Sequence, residues 1–163
     1  PRWMMKRTAA VVSSGLLLMV MGCSSDDGLD TRYPVSGTIT YKGANVPFGT
    51  ISFKSSDVTK HGAESDIKDG KYALGTLKKG DGAFPGKYTV TIESLDVDLS
   101  EVKAFVKSKG GDPEGQLPQE MVNKARAKGK SNIPTKYNSP ATTPLKDVEV
   151  SSSTPTLNFT LED

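Results

Sequence analysis

The sequence predicts an all-β chain: an antiparallel β-sandwich of about seven short strands with a helical or disordered insertion. Three observations predict it. Apolar residues recur at every second position in several short runs, most regularly in KYTVTIE (87–93) and LNFTL (157–161). Turn signals separate those runs, helped by 16 glycines and 10 prolines among 163 residues. One stretch, 95–131, breaks the alternation and is rich in charged helix formers.

The elements follow in order. YPVSGTITYKG (33–43) mixes β-branched and aromatic residues at strand spacing, and Gly43-Ala44-Asn45 is a turn signal. VPFGTISFK (46–54) is a second strand with Val46, Phe48, Ile51 and Phe53 as its apolar positions. Their parity shifts between Phe48 and Ile51, so Gly49 reads as a bulge. After the polar loop SSDVTKHG (55–62), the run AESDIKDGKYAL (63–74) is a hairpin that turns at Asp69-Gly70. In GAFPGKYTVTIES (82–94) the Pro85-Gly86 turn leads into a strand with Tyr88, Val90 and Ile92 on one face.

Within 95–131, Leu99, Val102, Phe105 and Val106 recur at helical spacing. Ser100 is a candidate cap for a first helix, and Pro118-Gln119-Glu120 a candidate start for a second. Lys103, Lys107, Lys109, Lys124, Arg126, Lys128 and Lys130 give this stretch either a solvated face or a surface for anionic lipid or polymer. The chain then returns to extended structure in NIPTKYNSPATTPL (132–145), KDVEV (146–150) and STPTLNFTLED (153–163). The expected core is Val35, Ile39, Val46, Ile51, Phe53, Ile67, Tyr72, Leu74, Tyr88, Val90, Ile92, Val148, Val150, Leu157, Phe159 and Leu161. Tyr137 is a candidate core or corner tyrosine with its hydroxyl bonded to backbone.

The N-terminal segment has a different logic. Arg2, Lys6 and Arg7 precede the 13-residue, mostly apolar run Ala9 to Met21. A membrane-spanning helix needs about 20 apolar residues, so the pattern is that of a secretory signal peptide, with Met4 or Met5 opening its cleanest form. Cys23, the chain's one cysteine, follows at once. Val20-Met21-Gly22-Cys23 resembles a bacterial lipobox, with the small Gly22 just before the cut. That resemblance implies cleavage between Gly22 and Cys23 and lipidation of the Cys23 thiol. The expected layout is a lipoprotein signal peptide at 1–22, a flexible tether at 23–32, and a β-sandwich domain at 33–163 with its insertion at 95–131. Asp26, Asp27 and Asp30 belong to the tether and match no standard calcium loop.

Cleavage also changes the charge. The full sequence carries 21 basic and 19 acidic residues, a net +2. Removing 1–22 leaves 18 basic against 19 acidic, close to −1. No electrostatic case for a nucleic-acid partner remains. With its one cysteine committed to lipid, the chain must be held by an apolar core rather than by disulfides.

Taken together, the lipobox, YPVSGTITYKGANVPFGTISF, IKDGKYAL, FPGKYTVTI, IPTKYNSPATTPLKDVEV and the final LNFTL resemble a family. These are the small lipoproteins of planctomycete-type bacteria with a carboxypeptidase regulatory-like or transthyretin-like domain. The resemblance spans most of 33–163 outside the insertion. It implies a prealbumin-like sandwich acting as an accessory module, and no catalytic activity.

The residues themselves point the same way. There is one histidine, His61, in a polar loop. No catalytic or phosphate-binding motif occurs, and no metal-ligand set is visible. Asp96, Asp98 and Glu101 offer carboxylate oxygens but lack the central glycine and length of a calcium loop. The expectation is therefore a membrane-anchored, exported, non-enzymatic lipoprotein. It serves as an interaction or structural module in the cell envelope, with no cofactor or metal, and its partner is an envelope protein or polymer. The rival is a surface carbohydrate-binding module. It would need exposed aromatics, but Trp3 leaves with the signal, and Tyr33, Tyr41, Tyr72, Tyr88 and Tyr137 fall mostly at core-facing positions. A transthyretin-like hydrolase is third, because such a site needs histidine and only His61 is present.

Overall fold

The computed structural model describes residues 31–163. The expected signal peptide, Trp3, the Gly22–Cys23 cleavage site with its lipidation, and Asp26, Asp27 and Asp30 lie outside those residues. Ten strands are described: β1 Ser36–Tyr41, β2 Ala44–Asn45, β3 Phe48–Ser55, β4 Ala63–Lys68, β5 Lys71–Ala73, β6 Gly86–Glu93, β7 Leu95–Asp96, β8 Lys130–Ser131, β9 Val148–Val150 and β10 Phe159–Leu161. Two helices, α1 Ser100–Ser108 and α2 Gln119–Ala127, lie between β7 and β8. A single 3₁₀ turn spans Thr135–Asn138.

Eight strands form one sheet in the order β10-β1-β5-β4-β3-β6-β9, with β2 folded back on β1. All pairings are antiparallel except β1 with β10, which run parallel, Ile39 opposite Phe159. The architecture is thus mostly β and strongly curled, a half-barrel rather than two separately hydrogen-bonded sheets. The curl can be measured. In a flat sheet, β10 and β3 would lie four strand spacings apart, roughly 19 Å. The Phe53 and Phe159 ring centroids are 6.2 Å apart, edge to face. Phe53 also meets Tyr88 at 5.8 Å and Tyr72 at 6.4 Å, so one ring from β3 touches rings from β5, β6 and β10.

Fourteen of the sixteen expected core residues are buried, and Val148 and Leu157 pack half-buried against them. Ala63, Ala83, Phe84, Val102 and Ile133 are also buried. The bulge at Gly49 is corrected: β3 pairs with β4 without interruption from Phe48↔Lys68 to Phe53↔Ala63. Phe48 lies on the outer face and is 43 % exposed, which explains the parity shift without an extra residue. Gly49 serves a different need, because a Cβ there would meet the Glu93 carbonyl oxygen at 2.1 Å. The hairpin turn at Asp69-Gly70 is present, both residues having positive φ. A like pair, Lys42-Gly43, makes the turn into β2, one residue before the expected place.

Three buried tyrosines lock distant segments through backbone hydrogen bonds. The Tyr88 hydroxyl donates to the Phe84 carbonyl at 2.8 Å and the Tyr72 hydroxyl to the Leu157 carbonyl at 2.7 Å. Burial pushes both hydroxyls above their ordinary titration range. Tyr137, on the 3₁₀ turn beside β6, accepts from the Glu162 N–H at 2.9 Å and donates to the Glu162 carbonyl at 3.2 Å. It joins the β6 side of the open half-barrel to the end of β10. Gly37 makes the Tyr72 contact possible, since a Cβ there would sit 1.8 Å from the Leu157 oxygen.

Gly37→Ala must push that carbonyl away and is expected to cost roughly 2–3 kcal/mol. Tyr72→Phe, which strands the same carbonyl, is expected to cost about 1–2 kcal/mol. Because both act on one group, the double variant should lose less than the sum. Urea unfolding of the three variants checks this; simple additivity would refute the shared contact.

Candidate functional site

The register sorts the loops into two poles. Residue 32 enters at one pole, where Tyr33 bridges to Ala83 and Ser36 to Thr156. The loops 56–62, 75–85 and 151–156 stand at this entry pole. The turns at 42–43 and 69–70, the 95–131 insertion, the 3₁₀ turn and the C-terminal Asp163 stand at the other, the insertion pole.

The insertion leaves and re-enters the sheet at adjacent points. β7 pairs with β8, Leu95 opposite Ser131 and Asp96 opposite Lys130. Just inside this pair the buried Ser94 accepts the Asn132 N–H at 2.8 Å on its carbonyl, and its hydroxyl accepts from the Asn132 amide at 3.2 Å. Of the two helix-start expectations, α2 begins at Gln119 directly after Pro118. For α1 the structure differs: Ser100 is its first residue and does not cap it, while the Asp98 carboxylate accepts the Ser100 N–H at 2.8 Å. Hydrogen bonds from Ser100 hold the Asp98 carboxyl below its ordinary value. Arg126 on α2 pairs with Glu93 at the end of β6, tying the helix to the sheet. Lys103 reaches Glu114 at 2.8 Å and Lys124 reaches Glu120 at 2.9 Å, so two of the seven basic residues are spent within the insertion.

Between the β7–β8 pair and the helices lies an open cleft of about 450 Å³. Asp96, Asp98, Glu101, Lys124, Lys128 and Lys130 line it, with Asp96 and Lys130 paired across β7 and β8. Val102 and Met121 add apolar lining. The arrangement can hold a ligand or peptide bearing both signs of charge on an apolar body. The acidic residues do not converge: among the described residues, no group of three or more His, Cys, Asp or Glu stands close enough to hold a metal ion. Sequence reasoning singled out the carboxylates and lysines separately; it missed Met121 and the Arg126–Glu93 tie.

The other expected residues scatter. His61 is exposed at the entry pole, its ring 6.5 Å from Phe84. Tyr72, Tyr88 and Tyr137 are core residues. Tyr41 is half-buried, with its hydroxyl on Asp163 and the Lys42 ammonium 5.1 Å from its ring centre, and Tyr33 is taken up in the bridge to Ala83.

At the entry pole, Arg32 lies 3.3 Å from Asp81 and 5.6 Å from the centre of the Phe84 ring. Asp81 also accepts the N–H groups of Thr76, Leu77 and Lys78. Burial pushes its carboxyl up, but these N–H groups and the Arg32 guanidinium outweigh that and hold it below the ordinary value. Among the described residues, no helix is long and apolar enough to cross a membrane. Compared with models of known families, with curated proteins and with solved structures, the chain matches none.

A carboxyl that is more acidic in the folded chain stabilises it above the unfolded pKa of about 4 and loses that contribution as pH falls through the folded value. The urea midpoint should therefore drop on acidification below about pH 4. Asp81→Asn should start less stable at neutral pH and show a shallower acid limb. Parallel acid limbs in the two proteins would refute the role given to Asp81.

Proposed function

We propose that this chain is a membrane-anchored, non-enzymatic lipoprotein that serves as an interaction or structural module in the cell envelope. The observation that carries the reading is the setting of Cys23: a basic start, a short apolar run, the small Gly22, and then the chain's one thiol. In that setting the Cys23 thiolate displaces the phosphate head group of a phospholipid donor, breaking its C–O bond, and keeps the diacylglycerol as a thioether. Cleavage after Gly22 then frees an amino group for a further acyl chain. One chain gives marginal membrane binding, whereas two or more hold firmly, at about 0.8 kcal/mol per buried methylene.

The geometry supports this reading in two ways. Arg32 and Tyr33 are fixed on the domain by Asp81, Phe84 and Ala83, so a tether starting at Cys23 would end at a defined point. The mixed-charge cleft lies at the opposite pole, where a partner would meet it unhindered by the anchor. His61 and the cleft carboxylates stand at different poles, an arrangement that favours a binding role over hydrolysis. The two halves of the curled sheet face each other across one core. That supports a prealbumin-like or carboxypeptidase regulatory-like sandwich as the finer description of the fold.

The test is the intact mass of protein extracted from membranes, beside Cys23→Ser. A chain starting at Cys23 with added diacylglycerol mass, absent in the variant, is expected. An unmodified chain that retains 1–22 would overturn the anchor.

A further inference from the structure

We propose that the loop carrying Val58 is a membrane-contact tip: the entry pole faces the bilayer that holds the Cys23 lipid, and the insertion pole faces away. The inference rests on the lipid-anchor reading of Cys23 and adds to it an orientation and a contact residue.

Four large apolar side chains among the described residues are notably exposed: Phe48, Val58, Leu77 and Phe105. Phe48 and Phe105 stand at the insertion pole, while Val58 is at the entry pole and is 97 % exposed. Its exposure is built in. The Asp57 carboxylate accepts from the Thr59 N–H at 3.0 Å and from its hydroxyl at 2.6 Å, and the Ser55 hydroxyl accepts the Asp57 N–H at 3.1 Å. The loop is in turn fastened to the start of β6: the Ser56 N–H donates to the Lys87 carbonyl at 2.9 Å, and the Lys60 ammonium to the Pro85 carbonyl at 3.2 Å. A firm turn thus holds a β-branched apolar side chain out into solvent.

Chain length decides which pole is near the membrane. Nine residue steps separate Cys23 from Arg32. Those steps can reach no more than about 30 Å even fully extended. β3 alone is 8 residues long, about 27 Å, so the insertion pole is a strand-length further off. A tether of that reach brings the Val58 loop to the bilayer, whereas bringing Phe105 there would take nearly its full length laid along the domain. Lys60 and Asp57 balance each other beside Val58, so the contact is apolar and should persist at high salt.

The test uses the full chain, processed in cells and reconstituted in phosphatidylethanolamine–phosphatidylglycerol vesicles with brominated acyl chains. Val58→Trp, Phe48→Trp and Phe105→Trp are compared by tryptophan quenching, after intact mass has established the state of Cys23. Val58→Trp should be quenched about two-fold at low and high salt alike, with Phe48→Trp and Phe105→Trp unaffected. Unlipidated Cys23 would overturn the anchor and this orientation together. A lipidated chain in which Val58→Trp is unquenched, or in which either insertion-pole tryptophan is quenched, would overturn the orientation alone.

Discussion

The contact between Phe53 and Phe159 is the constraint on which the rest of the structure depends. The two rings belong to strands that are four places apart in the sheet, and they meet only because the sheet curls. An eight-stranded sheet with one apolar face has to cover that face, and this chain covers it largely with itself. Tyr72 and Tyr88 complete the aromatic centre, and each sends its hydroxyl to a backbone carbonyl instead of leaving it unpaired in the core. Gly37 then lets the Leu157 segment approach closely enough for the curl to finish, and Tyr137 joins the two sides of the opening.

Much of this was legible locally. Alternation in 87–93 and 157–161 identified Tyr88, Val90, Ile92, Phe159 and Leu161, because a strand with one buried face writes its period into the sequence. Tyr137 was legible as a core or corner tyrosine but its setting was not: 132–145 looks extended in sequence, yet a 3₁₀ turn directly after Pro134 carries the ring inward and its hydroxyl to the Glu162 backbone. What stayed hidden was non-local. Nothing in residues 36–41 announces that β1 takes β5 on one side and a parallel β10 on the other. Two sheets and one curled sheet share the same alternation, so strand pattern alone could not separate them. Phe48 misled because an apolar residue on the outer face looks, in sequence, like a core residue out of step.

The site was legible only in pieces. The carboxylates of 96–101 and the lysines of 124–130 were visible as residue types, yet their meeting around one cleft depends on β7 pairing with β8 across the whole insertion. The same holds for Arg126 with Glu93 and for Arg32 with Asp81, ion pairs between segments far apart in sequence. In sequence, Val102 is one of several apolar residues at helical spacing. In the fold it is buried under the cleft, while Phe105 is left exposed.

The division into two poles has a physical origin. The insertion leaves and returns through the Ser94–Asn132 bonds, so its two ends lie side by side at the edge of the sheet. Closing such an excursion costs conformational entropy that rises only slowly with its length. A β-sheet can therefore carry a large, chemically varied segment at one end without disturbing the pairing that builds its core. At the entry pole the opposite condition holds. There Arg32, Tyr33, Asp81, Ala83 and Phe84 fasten the incoming chain at several points, and any pull on the chain before residue 32 is borne by β1 and the loop before β6. The two ends of the sheet thus differ in kind, one pinned at several points and the other carrying a long excursion. The curled sheet supplies the rigid distance between them.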